Sequence, residues 1–259
     1  MRTVAAALNL AVATVLAAGC HSTAEPRAKA AEPPAAAPRQ AIDAQPVAPR
    51  PAVGALFLGG TDTHTCTASV VHSSSRDLIL TAAHCLAAGL PTTFVPGFDE
   101  SAAPGDVWTV DTVYLDPRWL STQDPKADYA FARVSRPAGG AVESVAGQAL
   151  TLAAAKSGPV TVIGYPMGNG GPPLGCETHA GVDEGYPWVR CNGLVDGTSG
   201  GPWIAGASVI GVIGGRNGGG CQDDVSYSSP FDAATASLLA RAEAGGPGDD
   251  APQSFDSEC

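Results

Sequence analysis

The chain has 259 residues and a mass of 25.9 kDa, 44% of its residues are hydrophobic, and its formal net charge is −11. The hydrophobic content excludes a globally disordered chain, and the 15% of charged residues is too low for a coiled coil. The acidic balance argues against a nucleic-acid partner, because phosphate backbones are bound by clusters of lysine and arginine.

The first twenty residues are typical of an export signal. Arg2 precedes an apolar run from Val4 to Ala18 that is too short to span a bilayer. The run ends in Leu-Ala-Ala-Gly-Cys at 16–20, which resembles a bacterial lipobox, although its leucine stands one position earlier than in the commonest form. We therefore expect a signal peptide over 1–19 and a lipidated Cys20, which would be the only contact with a membrane. Ordinary signal cleavage, followed by release of a free secreted protein, is the alternative.

The segment after the signal is rich in small residues and proline. Residues 21–52 contain 11 alanines and 7 prolines and have no hydrophobic period. Such a composition predicts a semi-extended tether, assigned here to 20–52, rather than a packed element. A short prosegment is the alternative.

From Val53 onward, short β-rich runs alternate with clusters of Gly, Pro, Asp and Asn. Many short strands without intervening helical periods predict an all-β barrel or sandwich over 53–242. The predicted strands cover 53–58, 67–71, 78–83, 107–115, 129–134, 160–164 and 208–214.

One helix is predicted near the end of the chain. Asp232 can cap the run AATASLLARAEA at 233–244, which stops at a pair of glycines. The last residues, assigned to 243–259, form an acidic tail that is expected to be held in place only if Cys259 is paired.

The seven cysteines are consistent with an exported protein. Removing Cys20 leaves an even number, and an exported chain with six cysteines is expected to form up to three disulfides. Neither a CxxC pair nor an HExxH motif occurs, so no metal site is predicted. The six cysteines are Cys66, Cys85, Cys176, Cys191, Cys221 and Cys259.

Three segments contain the groups that a serine needs to hydrolyse an amide. This reaction requires a hydroxyl that attacks, an imidazole that carries the proton, and a carboxylate that orients the imidazole. The segments are LTAAHC at 80–85, DYAFARV at 128–134 and DGTSGGPW at 196–203. Asp124 is a second candidate carboxylate, but it precedes a proline in a turn-like stretch, whereas Asp128 opens an apolar strand.

These motifs resemble those of the chymotrypsin-like (trypsin-fold) serine proteases, especially the short secreted bacterial branch. The resemblance extends over about residues 53–242, with the histidine, aspartate and serine motifs in the family's order. It implies an all-β fold of two six-stranded antiparallel β-barrels packed together, with a C-terminal helix. It also implies a monomeric serine endopeptidase that acts on a peptide or protein substrate and needs no cofactor or metal.

Carried over by position, the resemblance makes Ser199 the nucleophile, His84 the general base and acid, and Asp128 the orienting carboxylate. The backbone amides of Gly197 and Ser199 would form the oxyanion hole, and the missing Cβ lets Gly197 turn its amide toward the substrate. Thr198 stands where animal digestive members have the aspartate used in zymogen activation, which implies a different activation. The alternative function is a catalytically inactive protease-like surface protein that binds peptide or cell-wall components.

The family alignment also assigns five residues to substrate binding: Gly193, Leu194, Gly214, Gly215 and Arg216. The first two would form the base of the primary pocket, and the last three would follow the strand that pairs with the substrate backbone. Arg216 either selects an acidic side chain, as in the glutamyl-specific bacterial branch, or lies on a solvated rim, which is the favoured interpretation. Asp196 would instead attract a basic side chain, so the specificity stays open.

The resemblance pairs Cys66 with Cys85, which follows the catalytic histidine directly. Two arrangements remain open for the other four cysteines, because spacing does not decide between them. They are Cys176–Cys191 together with Cys221–Cys259, or a Cys191–Cys221 bridge across the primary pocket.

Overall fold

The computed structural model describes residues 42–255, so the predicted signal peptide, Cys20, most of the predicted tether and Cys259 lie outside the described residues. The strands in this part are β1 (Ile42–Asp43), β2 (Gln45–Pro46), β3 (Val53–Leu58), β4 (His64–Val70), β5 (Leu78–Thr81), β6 (Thr92–Pro96), β7 (Trp108–Leu115), β8 (Ala130–Ser135), β9 (Thr151–Leu152), β10 (Gly158–Gly164), β11 (Leu174–Asp183), β12 (Tyr186–Asn192), β13 (Pro202–Ala205), β14 (Ser208–Val212) and β15 (Val225–Tyr227). The α-helices are α1 (Pro117–Thr122), α2 (Val142–Ala146) and α3 (Ala233–Ala244). Among the described helices, none combines the length and the apolar content that a membrane crossing requires.

Six strands close into a barrel in the order β3-β4-β5-β8-β7-β6, and all their pairs are antiparallel. Successive side chains of a strand point to opposite faces, so the barrel strands contribute to two apolar clusters. Leu56 and Trp108 belong to one cluster. Ala55 and Leu80 belong to the other, which also contains Val212 from the second sheet.

The second sheet contains nine strands in the order β1-β12-β11-β10-β13-β14-β9, with β15 added to β12 and β2 added to β11. Its longest strands pair antiparallel, whereas the two-residue strands β1 and β9 lie parallel to β12 and β14. The predicted all-β fold is confirmed. The second half of the domain consists of this extended sheet rather than six strands alone.

The end of the predicted tether is packed against the second sheet. Asn192 Nδ2 donates a hydrogen bond to Asp43 Oδ1 over 2.9 Å, and β1 lies parallel to β12. Val47 packs against Gly175, where an added Cβ would lie 2.7 Å from the valine side chain. Residues 42–47 are therefore part of the folded domain in the structure, although their composition is that of the tether.

Two disulfides occur in the described part of the chain. Cys66–Cys85 joins β4 to the turn that follows β5, and Cys176–Cys191 joins β11 to β12. The second bridge excludes the Cys191–Cys221 alternative. The predicted Cys221–Cys259 bridge cannot be followed, since Cys259 lies outside the described residues.

The C-terminal helix α3 has the bounds that its capping residues predict. The Asp232 carboxylate accepts hydrogen bonds from the amides of Ala234 and Thr235, and Thr235 Oγ1 accepts one from the Asp232 amide. This reciprocal capping box satisfies amides that the first helical turn leaves free. The helix stops at Gly245, which has a left-handed φ of 73°.

Asp116 is a buried carboxylate that joins helix α1 to Tyr129, the residue before strand β8. It accepts hydrogen bonds from the Arg118 amide, from Arg118 Nε and Nη2, and from the Tyr129 hydroxyl, over 2.7–3.0 Å. Burial alone would raise the pKa of Asp116, but the hydrogen bonds from Arg118 and Tyr129 outweigh it and lower this pKa to about 2. The folded state is therefore more stable with Asp116 ionised than with Asp116 protonated.

We expect Asp116→Asn to lower the free energy of unfolding at pH 7 by about 1–3 kcal/mol, because it removes a buried charge that accepts hydrogen bonds from Tyr129 and from the partly exposed Arg118. The stabilisation from Asp116 is present above the unfolded pKa of about 3.9 and is lost as the pH falls through about 2. Between pH 5 and pH 2 the wild type should therefore lose about 1–2 kcal/mol more than the variant. Urea unfolding at several pH values measures both effects. Asp111→Asn, which changes an exposed carboxylate on β7, is the control and should change neither.

Candidate active site

The barrel topology brings the histidine and aspartate motifs together. Strand β5 runs antiparallel to β8, with Thr81 opposite Ala130. The segment that follows β5 and the segment that precedes β8 therefore meet at one end of the barrel. His84 lies in the first segment, on a 3-10 turn at Ala83–Cys85, and Asp128 lies in the second.

His84 and Asp128 are joined by two hydrogen bonds. The His84 amide donates to Asp128 Oδ1 over 3.0 Å, and His84 Nδ1 lies 2.7 Å from Asp128 Oδ2. A carboxylate only accepts, so the Nδ1–H donates and the neutral imidazole keeps Nε2 free as a base. This is the histidine–aspartate part of the arrangement that proton transfer from a serine requires.

Asp128 is fully buried and is held from a third direction. The Gly215 amide donates to Asp128 Oδ2 over 2.7 Å. At Gly214 a Cβ would lie 2.9 Å from the same oxygen, so only glycine leaves room for the carboxylate. The competing carboxylate, Asp124, instead caps the turn at Pro125–Ala127 by accepting from the Lys126 amide over 2.9 Å. The structure therefore pairs His84 with Asp128 and not with Asp124.

Thr67 of β4 forms hydrogen bonds with the loop that contains Ser199, here called the nucleophile loop (residues 196–201). The Thr67 amide donates to the Ser199 carbonyl over 2.7 Å, and its hydroxyl donates to the Gly197 carbonyl over 3.0 Å. The same hydroxyl accepts from the Tyr165 amide over 2.8 Å, and Thr67 is fully buried. Sequence reasoning missed this residue. Its only sequence signal is its position directly after Cys66, at the start of a predicted strand.

The two candidate oxyanion donors are not engaged elsewhere. The Asp196 carbonyl accepts from the Met167 amide over 2.7 Å, so the trans peptide directs the Gly197 N–H the opposite way. Within residues 42–255, neither the Gly197 amide nor the Ser199 amide donates a hydrogen bond. Gly197 has a φ of 92°, and a Cβ there would lie 2.1 Å from the Met167 nitrogen. Glycine is therefore required at this position.

Ser199 and Thr198 differ in how they are placed. Ser199 is partly exposed, and its hydroxyl forms no hydrogen bond with His84 or with any other residue of the described chain. Thr198 is buried, and its hydroxyl donates to the Val195 carbonyl over 2.7 Å. The loop is thus closed by a neutral local hydrogen bond at the position where the animal enzymes have an aspartate.

The predicted specificity residues lie on the second sheet and its loops. The Gly193 amide donates to the Asp223 carbonyl, and Leu194 packs against the apolar cluster of that sheet. The Gly214 amide donates to the Tyr227 carbonyl over 3.1 Å, while the Gly215 amide is taken by the aspartate. Neither amide is left for a substrate backbone.

Arg216 is held by neighbouring side chains. Its Nη1 lies 2.9 Å from Glu184 Oε2, and its guanidinium packs over the rings of Tyr186 and Tyr227. These contacts neutralise its charge on the β11–β12 hairpin. The roles of Arg216 as a rim residue or as a selector of an acidic side chain both stay predictions.

His64 and the Cys66–Cys85 disulfide have structural roles. His64 lies within β4, fully buried among the rings of Phe57, Phe98 and Tyr165, and burial lowers its pKa. Ligand atoms of Cys66, His84 and Cys85 lie within 4.8 Å of one another. The two sulfurs are joined in a disulfide, however, and a disulfide supplies no thiolate to a metal.

A family model described as a trypsin-like peptidase domain matches residues 66–212. None of the curated proteins matches the chain. Among solved structures, the protease Anisep from Arthrobacter nicotinovorans is similar at 25% sequence identity and a TM-score of 0.67, covering 78% of this chain and 100% of that chain.

Two more distant structures share the fold. The thermostable serine protease AL20 from an extremophilic microorganism is 23% identical, with a TM-score of 0.65, over 76% of this chain and 99% of that chain. Human heparin binding protein is 13% identical, with a TM-score of 0.61, over 80% of this chain and 99% of that chain. These similarities confirm the predicted chymotrypsin-like architecture.

Proposed function

The chain belongs to the trypsin-like peptidase family, and on this basis we propose that it is a serine endopeptidase that works through Ser199, His84 and Asp128. The observation that carries the proposal is the 2.7 Å hydrogen bond between His84 Nδ1 and the buried Asp128 carboxylate. It leaves Nε2 of a neutral imidazole as the base, which is what activation of a serine hydroxyl needs.

In the proposed reaction, Ser199 Oγ attacks the carbonyl carbon of the peptide bond while its proton passes to His84 Nε2. The Gly197 and Ser199 amides then donate to the oxyanion of the tetrahedral intermediate. When the C–N bond breaks, the leaving amine takes the proton from Nε2 and an ester remains on Ser199. Water adds to the ester with His84 again as base, which releases the acid and restores the hydroxyl. The net reaction consumes one water per peptide bond, and all reacting groups except the substrate and water come from this chain.

The proposed location is outside the cytoplasm. Two disulfides in the described residues are consistent with an oxidising compartment. We further propose that the chain is exported by its signal over 1–19 and anchored through lipidated Cys20, as a monomer that acts on peptides or proteins.

Labelling with a fluorophosphonate, which reacts with activated serines, tests the proposed function. The mature chain is produced in an oxidising compartment and its intact mass is measured after labelling. We expect one stoichiometric adduct in the wild type and none in Ser199→Ala. A folded, disulfide-bonded wild type that gains no adduct would contradict the proposal and support the binding-only alternative, which a peptide-binding measurement would then examine.

A further inference from the structure

The C-terminal tail, defined here as residues 245–255, is docked along the barrel. Beyond Thr109, β7 has no β6 partner, so its later backbone groups are open on that side. The Asp249 amide donates to the Val113 carbonyl over 2.8 Å, and the Leu115 amide donates to Asp249 Oδ2 over 2.8 Å. Arg241 of α3 forms an ion pair with the same carboxylate. Asp249 therefore anchors the tail to both β7 and the helix.

The tail continues from this anchor toward the candidate active site. Ala251 is buried in an apolar cluster that also contains Ala83 and Trp119. Gln123 Nε2, at the end of α1, donates to the Ser254 carbonyl over 2.8 Å. These contacts fix the direction of residues 249–255 along the barrel. Cys259, on which the sequence predicted the tail to depend, lies outside the described residues.

Phe255 lies on the catalytic imidazole. Its ring is stacked on that of His84, with centroids 5.1 Å apart and an interplanar angle of 24°. It also contacts the buried Trp119 ring, with centroids 5.4 Å apart. The His84 side chain is only 12% exposed. One face of the imidazole is thus covered by a side chain of the same polypeptide.

We propose that the tail is an intramolecular competitor of the peptide substrate, with Phe255 in the place of a substrate side chain on the face of His84. The inference rests on the proposed function. A peptide whose scissile carbonyl lies between Ser199 and His84 must bring its neighbouring residues against the imidazole. That surface is apolar and is already filled by an aromatic ring, so peptide and tail exclude each other.

Competition of this kind has a defined kinetic signature. Only the fraction of molecules with a displaced tail binds substrate, so the apparent KM is the intrinsic KM divided by that fraction. A tail that is displaced in one molecule in ten raises KM about tenfold. The kcat is unchanged, because saturating substrate displaces the tail completely.

The test compares the full mature chain with Phe255→Ala and with a control, Gln253→Ala. Gln253 lies in the same tail but is exposed and forms no hydrogen bond with a described residue. We expect Phe255→Ala to raise kcat/KM for unstructured peptide substrates about tenfold through a lower KM, and Gln253→Ala to have no effect. An unchanged kcat/KM in Phe255→Ala would overturn the inference. A lower kcat/KM would also overturn it and would make the ring a wall of the substrate site.

A second variant and a peptide strengthen the test. Asp249→Ala keeps Phe255 but removes the anchor, so KM should fall in this variant as well. A synthetic peptide with the tail sequence Asp-Asp-Ala-Pro-Gln-Ser-Phe should inhibit Phe255→Ala competitively, and failure of both results would count against the proposal.

Fluorophosphonate labelling separates failure of this inference from failure of the proposed function. Equal labelling of wild type and Phe255→Ala, with equal KM values, would overturn only the role of the tail. No adduct in any variant would overturn the endopeptidase and, with it, the competitor.

Discussion

Replacing Asp128 by asparagine is expected to lower kcat for peptide hydrolysis by about four orders of magnitude, with a smaller change in KM. Asp128 Oδ2 accepts from both His84 Nδ1 and the Gly215 amide, while Oδ1 accepts from the His84 amide. An asparagine has one oxygen for these two positions. The NH2 group of the asparagine therefore replaces one carboxylate oxygen and faces a hydrogen-bond donor. If it faces His84 Nδ1, it favours the imidazole tautomer that carries its proton on Nε2. That tautomer cannot accept the serine proton.

Asp124→Asn is the matched control for this prediction. It changes the other candidate carboxylate of the same segment, which caps a turn and does not contact His84. We expect its kcat to stay within about tenfold of the wild type, since a lost cap costs only about 1 kcal/mol of stability. Steady-state kinetics on variants with verified folding and disulfides measures both effects. The assignment would be wrong if Asp124→Asn, and not Asp128→Asn, abolished turnover.

Thr67→Val should lower kcat about 10- to 100-fold and leave KM nearly unchanged. Valine keeps the shape of threonine but leaves the Gly197 carbonyl and the Tyr165 amide buried without a partner. Such unsatisfied groups cost about 1–3 kcal/mol each, so the loop is expected to shift. The shift moves the Gly197 amide, which is useful only when the oxyanion forms, and removing one such donor is known to act on kcat.

Two companion variants separate this positioning role from a general loss of stability. Thr67→Ser restores the hydroxyl and should recover most of the lost kcat. Thr65→Val changes a neighbouring threonine of β4 whose buried hydroxyl has no hydrogen-bond partner in the described chain, and it should leave kcat unchanged. If Thr67→Val lowered only the melting temperature and not kcat, the hydroxyl would be structural and no more.

The strands that the sequence predicts are short β-rich runs bounded by turn residues. The predicted run at 53–58 is β3, and the predicted helix at 233–244 is α3, because each has local signals at both ends. Strand β11 was not predicted, since its sequence LGCETHAGVD mixes charged, polar and apolar residues without a simple alternation. It is extended because it pairs with β10 along seven residue pairs, an interaction that no local pattern reveals.

In the candidate site, too, residues within short motifs are predicted from the sequence, whereas residues that act through long-range contacts are not. His84 and Asp128 are found from short motifs because their chemistry requires particular neighbours in the sequence. Thr67 lies 130 positions from Gly197, so its hydrogen bond exists only in the folded chain. The tail was predicted to be held in place only if Cys259 is paired, and Cys259 lies outside the described residues. Asp249 contacts β7, and Phe255 contacts His84, more than 100 positions away along the chain.

The short strands β1 and β2 determine where a recombinant fragment can begin without exposing strand edges. β1 pairs with β12, and β2 pairs with β11. The residues that follow them add two hydrogen bonds: the Ala44 amide donates to the Asn192 carbonyl, and the Val47 amide donates to the Pro173 carbonyl. A recombinant fragment that starts at Val53 would expose these groups and the groove beside Gly175. Uncovered strand edges recruit strands from other molecules, so such a fragment is expected to aggregate, whereas one that starts before Ile42 keeps the edges covered.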